Sequence, residues 1–113
     1  IDNLISTIDY NQKQIDGTTD DVLALGSVEA KFEAFGWDVI TCKDGNNISE
    51  LLKVLKDAKS RTGKGKPVCI VMHTEMGNGV DFMMGTHKWH GAAPNDEQLV
   101  SALSQNQETL GDF

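Results

Sequence analysis

Val68-Cys69-Ile70-Val71-Met72 is an uninterrupted apolar run between the glycine-lysine stretch Gly63-Lys64-Gly65-Lys66-Pro67 and the polar His73-Thr74-Glu75. A strand with no polar alternation meets water on neither face, which is the situation of a central strand in a parallel sheet. Parallel neighbours are joined by long, usually helical crossovers. One such strand therefore commits a chain of 113 residues to alternating strands and helices, an α/β arrangement with a parallel sheet and helices on both faces.

The remaining pattern follows that scheme. Leu4-Ile5-Ser6-Thr7-Ile8 is short and β-branched and reads as a strand, followed by a polar loop from Asp9 and turn chemistry at Asp16-Gly17-Thr18-Thr19. Ser27 is placed to cap a helix with Val28, Phe32 and Phe35 on its apolar face, and Gly36 stops it. Trp37 to Cys42 reads as a second strand, with Trp37 in the core, and Asp44-Gly45-Asn46 as a turn. Asn47 with Glu50 three residues on resembles a capping box, and Ile48, Leu51, Leu52 and Leu55 then recur at helical period. After the long stretch from Asn78 to Pro94, Asn95 with Asp96 and Glu97 suits a helix start whose apolar side is Leu99, Val100 and Leu103, with the polar Ser104 to Thr109 fraying. The order predicts right-handed parallel crossovers.

The formal charge is −7, and the cations that cluster, Lys53, Lys56, Lys59, Arg61, Lys64 and Lys66, follow one helix and its exit as a solvated face. Nucleic acid is not an expected partner. Cys42 and Cys69 lie within apolar runs, away from the spacings of disulfide scaffolds or zinc ribbons, and are expected as buried free thiols of a cytoplasmic protein. No apolar stretch reaches the ~20 residues a membrane-spanning helix needs. The chain opens at Ile1 and runs almost directly into a strand, which points to a piece of a longer polypeptide.

Two loops leave apolar runs and carry the groups with chemistry. Strand ends are where open α/β sheets hold ligands, so the loops Asp9 to Gly17 and His73 to Pro94 are expected to converge. Asn11 offers an amide oxygen and Lys13 a backbone carbonyl, both hard donors of the kind Mg²⁺ and Ca²⁺ select, although on this feature alone a turn-forming asparagine is the more ordinary reading. Gly77-Asn78-Gly79 permits close backbone approach but opens no helix, so it is not a dinucleotide fingerprint. His90, between Trp89 and Gly91, could bind a phosphate or relay a proton, or simply lie on the surface. His73, His87 and His90 lack the paired spacing of a zinc site. The four methionines, Met72, Met76, Met83 and Met84, read as packing or lining residues.

Taken in order, Ile8-Asp9-Tyr10-Asn11-Gln12-Lys13-Gln14-Ile15-Asp16-Gly17, Ala34-Phe35-Gly36-Trp37, Asp44-Gly45, His73-Thr74 with Gly77-x-Gly79, and Trp89-His90-Gly91-x-Ala93-Pro94 resemble the N-terminal, diphosphate-binding part of transketolase, most closely the N-terminal subunit of the two-chain enzymes. The resemblance implies part of a thiamin diphosphate-binding fold spanning residues 1–113. It implies transfer of a two-carbon ketol unit from ketose phosphate to aldose phosphate, with thiamin diphosphate and Mg²⁺ (or Ca²⁺). Asn11 and the Lys13 carbonyl correspond to metal ligands, Ile15 to a residue against the thiazolium, Met76 to a residue beside the cofactor, and His90 to a histidine that reaches the diphosphate and the substrate's reacting end.

The family motif opens on Gly-Asp-Gly, whose aspartate is a metal ligand, and no such triplet precedes Asn11 here. The family's activating glutamate lies in a separate pyrimidine-binding domain. The resemblance thus implies a chain inactive alone, working on sugar phosphates together with a pyrimidine-binding domain or C-terminal subunit. A parallel sheet lacking its first part would leave apolar edge and face open, which usually recruits another chain, so association, as a homo-oligomer, is expected rather than a stable monomer. The two-chain enzymes often carry lysines where this chain has Met76 and Asn78. Deoxyxylulose phosphate synthase and the α subunit of a 2-oxo acid dehydrogenase share the strand-Asn-loop logic but fit Trp89-His90-Gly91 less well. A non-catalytic remnant that acts as an interaction module is the alternative of a different class.

Overall fold

The computed structural model describes residues 1–106. In chain order the elements are strand β1 (Ile5–Tyr10), the two-residue strands β2 (Lys13–Gln14) and β3 (Gly17–Thr18), helices α1 (Thr19–Leu23) and α2 (Val28–Ala34), strand β4 (Asp38–Cys42), helix α3 (Ile48–Arg61), strand β5 (Val68–His73), a 3₁₀ turn at Lys88–His90 and helix α4 (Asp96–Gln105). β5 is the middle strand of a three-stranded sheet in the order β1-β5-β4, parallel to both neighbours. The central, doubly covered strand read from Val68 to Met72 is there, one residue longer.

Because side chains alternate across a strand, β5 feeds two cores. Val68 and Ile70 join Ile40, Cys42 and Ala58 under α3. Cys69 and Val71 join Val28 under α2, with Phe32, Trp37 and Val39 packed against them. All four of Val68, Cys69, Ile70 and Val71 are fully buried. Burying one aliphatic side chain contributes about 1.5–3 kcal/mol, so this strand anchors both layers.

Several sequence expectations shift in phase, and each shift has a cause. α2 starts on Ser27, whose hydroxyl accepts the Ala30 N–H, and ends before Gly36 at φ 84°. Phe35 falls on the C-cap and is 85% exposed rather than joining the apolar face, whereas Trp37 packs edge-on to Phe32 at 5.4 Å. On α3 the inward stripe is Leu51, Val54 and Ala58; Ile48, Leu52 and Leu55 face outward. The small side chain of Ala58, with no exposed surface, takes the innermost place. Asn47 caps α3 by accepting from Ser49 and Glu50, but Glu50 turns to the Asp44 N–H, so the box stays half closed. A closed capping box forms instead at Asn95 and Gln98.

On α4 the buried residue is Ala102, while Leu99, Val100 and Leu103 are exposed. Ser104 and Gln105 belong to the helix, and the part of the fraying expectation beyond residue 106 lies outside the described residues. α1 was not expected. Thr18 caps it by accepting the Asp21 N–H, a Thr-x-x-Asp signal inside what the sequence offers as turn chemistry. The Arg61 guanidinium grips both carboxylate oxygens of Asp57 and reaches Asp38 at 2.8 Å. It thereby ties the end of α3 to the start of β4. No described helix is long and apolar enough to cross a membrane.

Candidate functional site

The parallel register pairs Tyr10 with His73 at the last step of β1 and β5. Both strands therefore end at one level, and their outgoing loops start side by side. The Thr74 N–H donates to the Tyr10 carbonyl at 3.4 Å, and the Thr74 hydroxyl donates to the Asp9 carboxylate. The two strand-end loops thus begin in contact at this edge.

β1 runs to Tyr10, two residues beyond the sequence expectation, and delivers Asn11 directly at its tip. The Asn11 side-chain oxygen accepts the Lys13 N–H at 2.9 Å, an Asx turn that brings Gln12 to φ 58°. A positive φ is uncommon outside glycine, and here the Thr19 N–H bond to the Gln12 carbonyl at 3.0 Å supports it. The polar loop thus folds into a small antiparallel hairpin, Lys13 opposite Thr18 and Gln14 opposite Gly17. Ile15 sits at its turn, 70% exposed. Beside it, Gln14, Thr19, Val22, Leu23 and Leu25 line an open hollow of about 330 Å³. The Gln14 amide nitrogen and Thr19 hydroxyl are buried with no partner among the described residues.

The second loop is fastened to the first turn of the β4–α3 connection. Gly45 donates its N–H to the His73 carbonyl at 2.7 Å, and a Cβ there would lie 2.7 Å from Thr74 Cγ2 and 2.9 Å from Met72 Cβ. Only glycine fits so close a crossing. The Asn46 side-chain oxygen accepts the Glu75 N–H at 2.7 Å, and the Glu75 carboxylate accepts the Gly85 N–H at 2.7 Å. Between these points the chain doubles back so tightly that a Cβ on Gly77, at φ 73°, would stand 2.5 Å from Met83 Cβ. The glycine in Gly77-x-Gly79 is therefore demanded by this chain's own return path. Met76 is half-buried in this bend.

His90 closes the 3₁₀ turn, its N–H donating to the His87 carbonyl at 3.0 Å, and is exposed. Its neighbour Trp89 supplies the fixing contact. The indole N–H donates to the Phe82 carbonyl at 2.9 Å while the two rings meet edge to face at 5.3 Å. Among the described residues the His90 imidazole makes no hydrogen bond. Asn11 and Lys13 are thus joined directly, Met76 begins from the adjacent strand end, and His90 is positioned through Trp89.

Sequence reasoning placed His73 only in the shared motif and missed its contact with Glu29. Its ring stands 3.3 Å from the Glu29 carboxylate and edge-on to Tyr10 at 5.4 Å, a contact across 44 positions for which no local pattern exists. The Glu29 carboxyl is held below its ordinary value, first by a backbone N–H at the start of α2 and then, against the cost of desolvation, by His73 and Ser27. Burial pushes both thiols, Cys42 and Cys69, above the usual range, and both are free.

For a divalent cation, the Asn11 oxygen retains a second lone pair beyond its Lys13 bond, and a backbone carbonyl lies two residues on. Those donors suit Mg²⁺ or Ca²⁺ in kind. Among the described residues no group of three or more His, Cys, Asp or Glu could hold a metal. The donor chemistry of Asn11 and the Lys13 carbonyl thus fits such an ion in kind.

The family description that matches residues 1–110 is the thiamine diphosphate binding domain of transketolase. Among curated relatives, one of the subunits of the apulose-4-phosphate transketolase of Phocaeicola vulgatus is 36% identical over 110 residues, covering 97% of this chain and 38% of that protein. The transketolase of Physarum polycephalum is 34% identical over 93 residues, covering 82% of this chain and 14% of that protein. A crystal structure of a Pichia stipitis transketolase complexed with sedoheptulose-7-phosphate superposes with a TM-score of 0.80 at 28% identity, over 91% of this chain and 15% of that one. The chain thus spans well under half the length of the relatives it matches.

Proposed function

Because this chain belongs to the transketolase family through its thiamine diphosphate-binding domain, we propose that it forms part of the diphosphate-holding half of a ketol transferase, moving a two-carbon ketol unit from a ketose phosphate to an aldose phosphate. The supporting observation is the Tyr10–His73 register, which sets the Asn11 hairpin and the Thr74–Gly79 loop side by side at the C-terminal edge of a parallel sheet, where such folds take their ligands. Asn11 and the Lys13 carbonyl would hold Mg²⁺ (or Ca²⁺), with diphosphate and water among its other ligands. Ile15, exposed at the hairpin turn, would lie against the thiazolium, and Met76 beside the cofactor. His90 would donate to the diphosphate and hold or relay a proton at the reacting end of the sugar. Bound thiamin diphosphate supplies the electron sink for breaking the carbon–carbon bond.

The rest of the machinery lies in other polypeptide. A Gly-Asp-Gly aspartate upstream would complete the metal shell, making residues 1–113 the later portion of the domain. A pyrimidine-binding domain or C-terminal subunit would bring the activating glutamate. Relatives that are themselves named as transketolase subunits support a partner of that kind, and the exposed Ile15, Val22, Leu23 and Leu25 give it an apolar wall. The assembly would contain further copies of the chain and work in the cytoplasm, a setting in which two buried free thiols persist. Calorimetric titration of thiamin diphosphate into the intact assembly, with and without Mg²⁺, tests the reading. Metal-dependent binding that weakens by at least about tenfold in Asn11→Ala is expected; binding indifferent to both metal and Asn11 would overturn it.

A further inference from the structure

We propose that Glu75 is a positioning residue, whose carboxylate fixes the path of the segment that carries His90; the consequence for cofactor binding rests on the reading of His90 above. Three contacts make the case. The Glu75 backbone is hung from the Asn46 side chain by a 2.7 Å bond, so the residue is anchored to the β4–α3 turn rather than only to the strand it leaves. Its side chain then reaches ten residues along the chain and accepts the Gly85 N–H at 2.7 Å. Gly85 at φ 71° is the point where the chain turns into Thr86 and the 3₁₀ turn that ends in His90.

A loop clamped at its base loses less freedom when a ligand orders it, so the clamp is expressed as affinity. Between Glu75 and Gly85 lie the tight Gly77–Met83 approach and the Val80 side chain, which is buried. Beyond Gly85 the Trp89–Phe82 bond folds the segment back on the same bend. The Asp81 carboxylate accepts the Phe82 N–H at 2.7 Å and a Gln105 amide N–H at 2.9 Å in the middle of the bend, and Glu75 is the charged side chain that spans the bend to Gly85. A carboxylate accepting a backbone N–H makes a stronger bond than a neutral acceptor, and the exposed position of Glu75 means that its replacement leaves the sheet intact.

Glu75→Ala removes the acceptor, and Glu75→Gln keeps an oxygen at the same reach. In the intact assembly, Glu75→Ala is expected to raise the half-saturating thiamin diphosphate concentration about five- to tenfold, the factor one such hydrogen bond carries, while turnover at saturating cofactor stays within about twofold. Glu75→Gln is expected to recover most of that loss. Amide exchange at Gly85, followed without cofactor, should accelerate by a similar factor in the alanine variant and much less in the glutamine variant. Unchanged Gly85 exchange in Glu75→Ala, or a glutamine variant as impaired as the alanine one, would overturn the role. A parent assembly that takes up no thiamin diphosphate would instead refute the functional reading, and the Gly85 exchange rates would still decide whether Glu75 clamps the segment.

Discussion

β5 and the segment that leaves it are consecutive in the chain and held by opposite means. From Val68 to Val71 the side chains are fully buried in two apolar clusters. From Glu75 to His90 only Val80 is buried, and the path is set mainly by hydrogen bonds, among them Glu75 N–H to Asn46, Gly85 N–H to Glu75 and Trp89 to Phe82. Hydrophobic burial is non-directional and tolerates small displacements, whereas a hydrogen bond loses strength steeply with angle and distance. The strand therefore supplies stability, and the loop supplies geometry with little stability of its own.

The largest expected effect lies on the strand. Ile70→Ala should lower unfolding stability by about 2–5 kcal/mol, since the removed atoms leave a cavity between α3 and the sheet; urea denaturation measures it. A loss below about 1 kcal/mol would mean that β5 is not the anchor its burial indicates. In the loop, Gly77→Ala forces a side chain into a backbone at φ 73° and within 2.5 Å of Met83 Cβ. Local strain of about 1–3 kcal/mol is expected, read as faster amide exchange over residues 77–90 with a smaller shift of the global transition. If Gly77→Ala unfolds the protein as readily as Ile70→Ala, the two regions form one cooperative unit and the contrast fails.

The smallest effect lies at the end of β5, where His73 meets Glu29 of α2. Because the Glu29 carboxyl is depressed, its contribution is fully present above its unfolded value and is lost as pH falls through the lower folded value. The stability difference between the parent and Glu29→Gln should be constant near neutrality and shrink below roughly pH 4. A difference that grows on acidification would show that the carboxylate is not favoured by folding.

The same contrast explains what could be read in advance. Val68 to Met72 announces its own place because burial on both faces leaves a run without alternation. The Asn47, Asn95 and Ser27 starts are legible because a cap and its partner lie within three residues. The phase of α3 was not legible, since Ile48, Leu51, Leu52 and Leu55 keep helical period whichever side meets the sheet, and the deciding residue is Ala58. In the loops, Asn11 could be singled out because it follows an apolar strand, and His90 because Trp89 and Gly91 flank it. Glu75, Asn46 and the His73–Glu29 contact gave no signal, because each partner is fixed by the fold rather than by nearby sequence.

The placement of the two thiols has a practical consequence. Cys42 lies under α3 and Cys69 under α2, on opposite faces of one sheet, so each is shielded by a different helix. Alkylation of either one requires its own cover to lift. With each cysteine replaced in turn by serine, labelling rates would act as two separate clocks, and their ratio would report which layer of the molecule opens first.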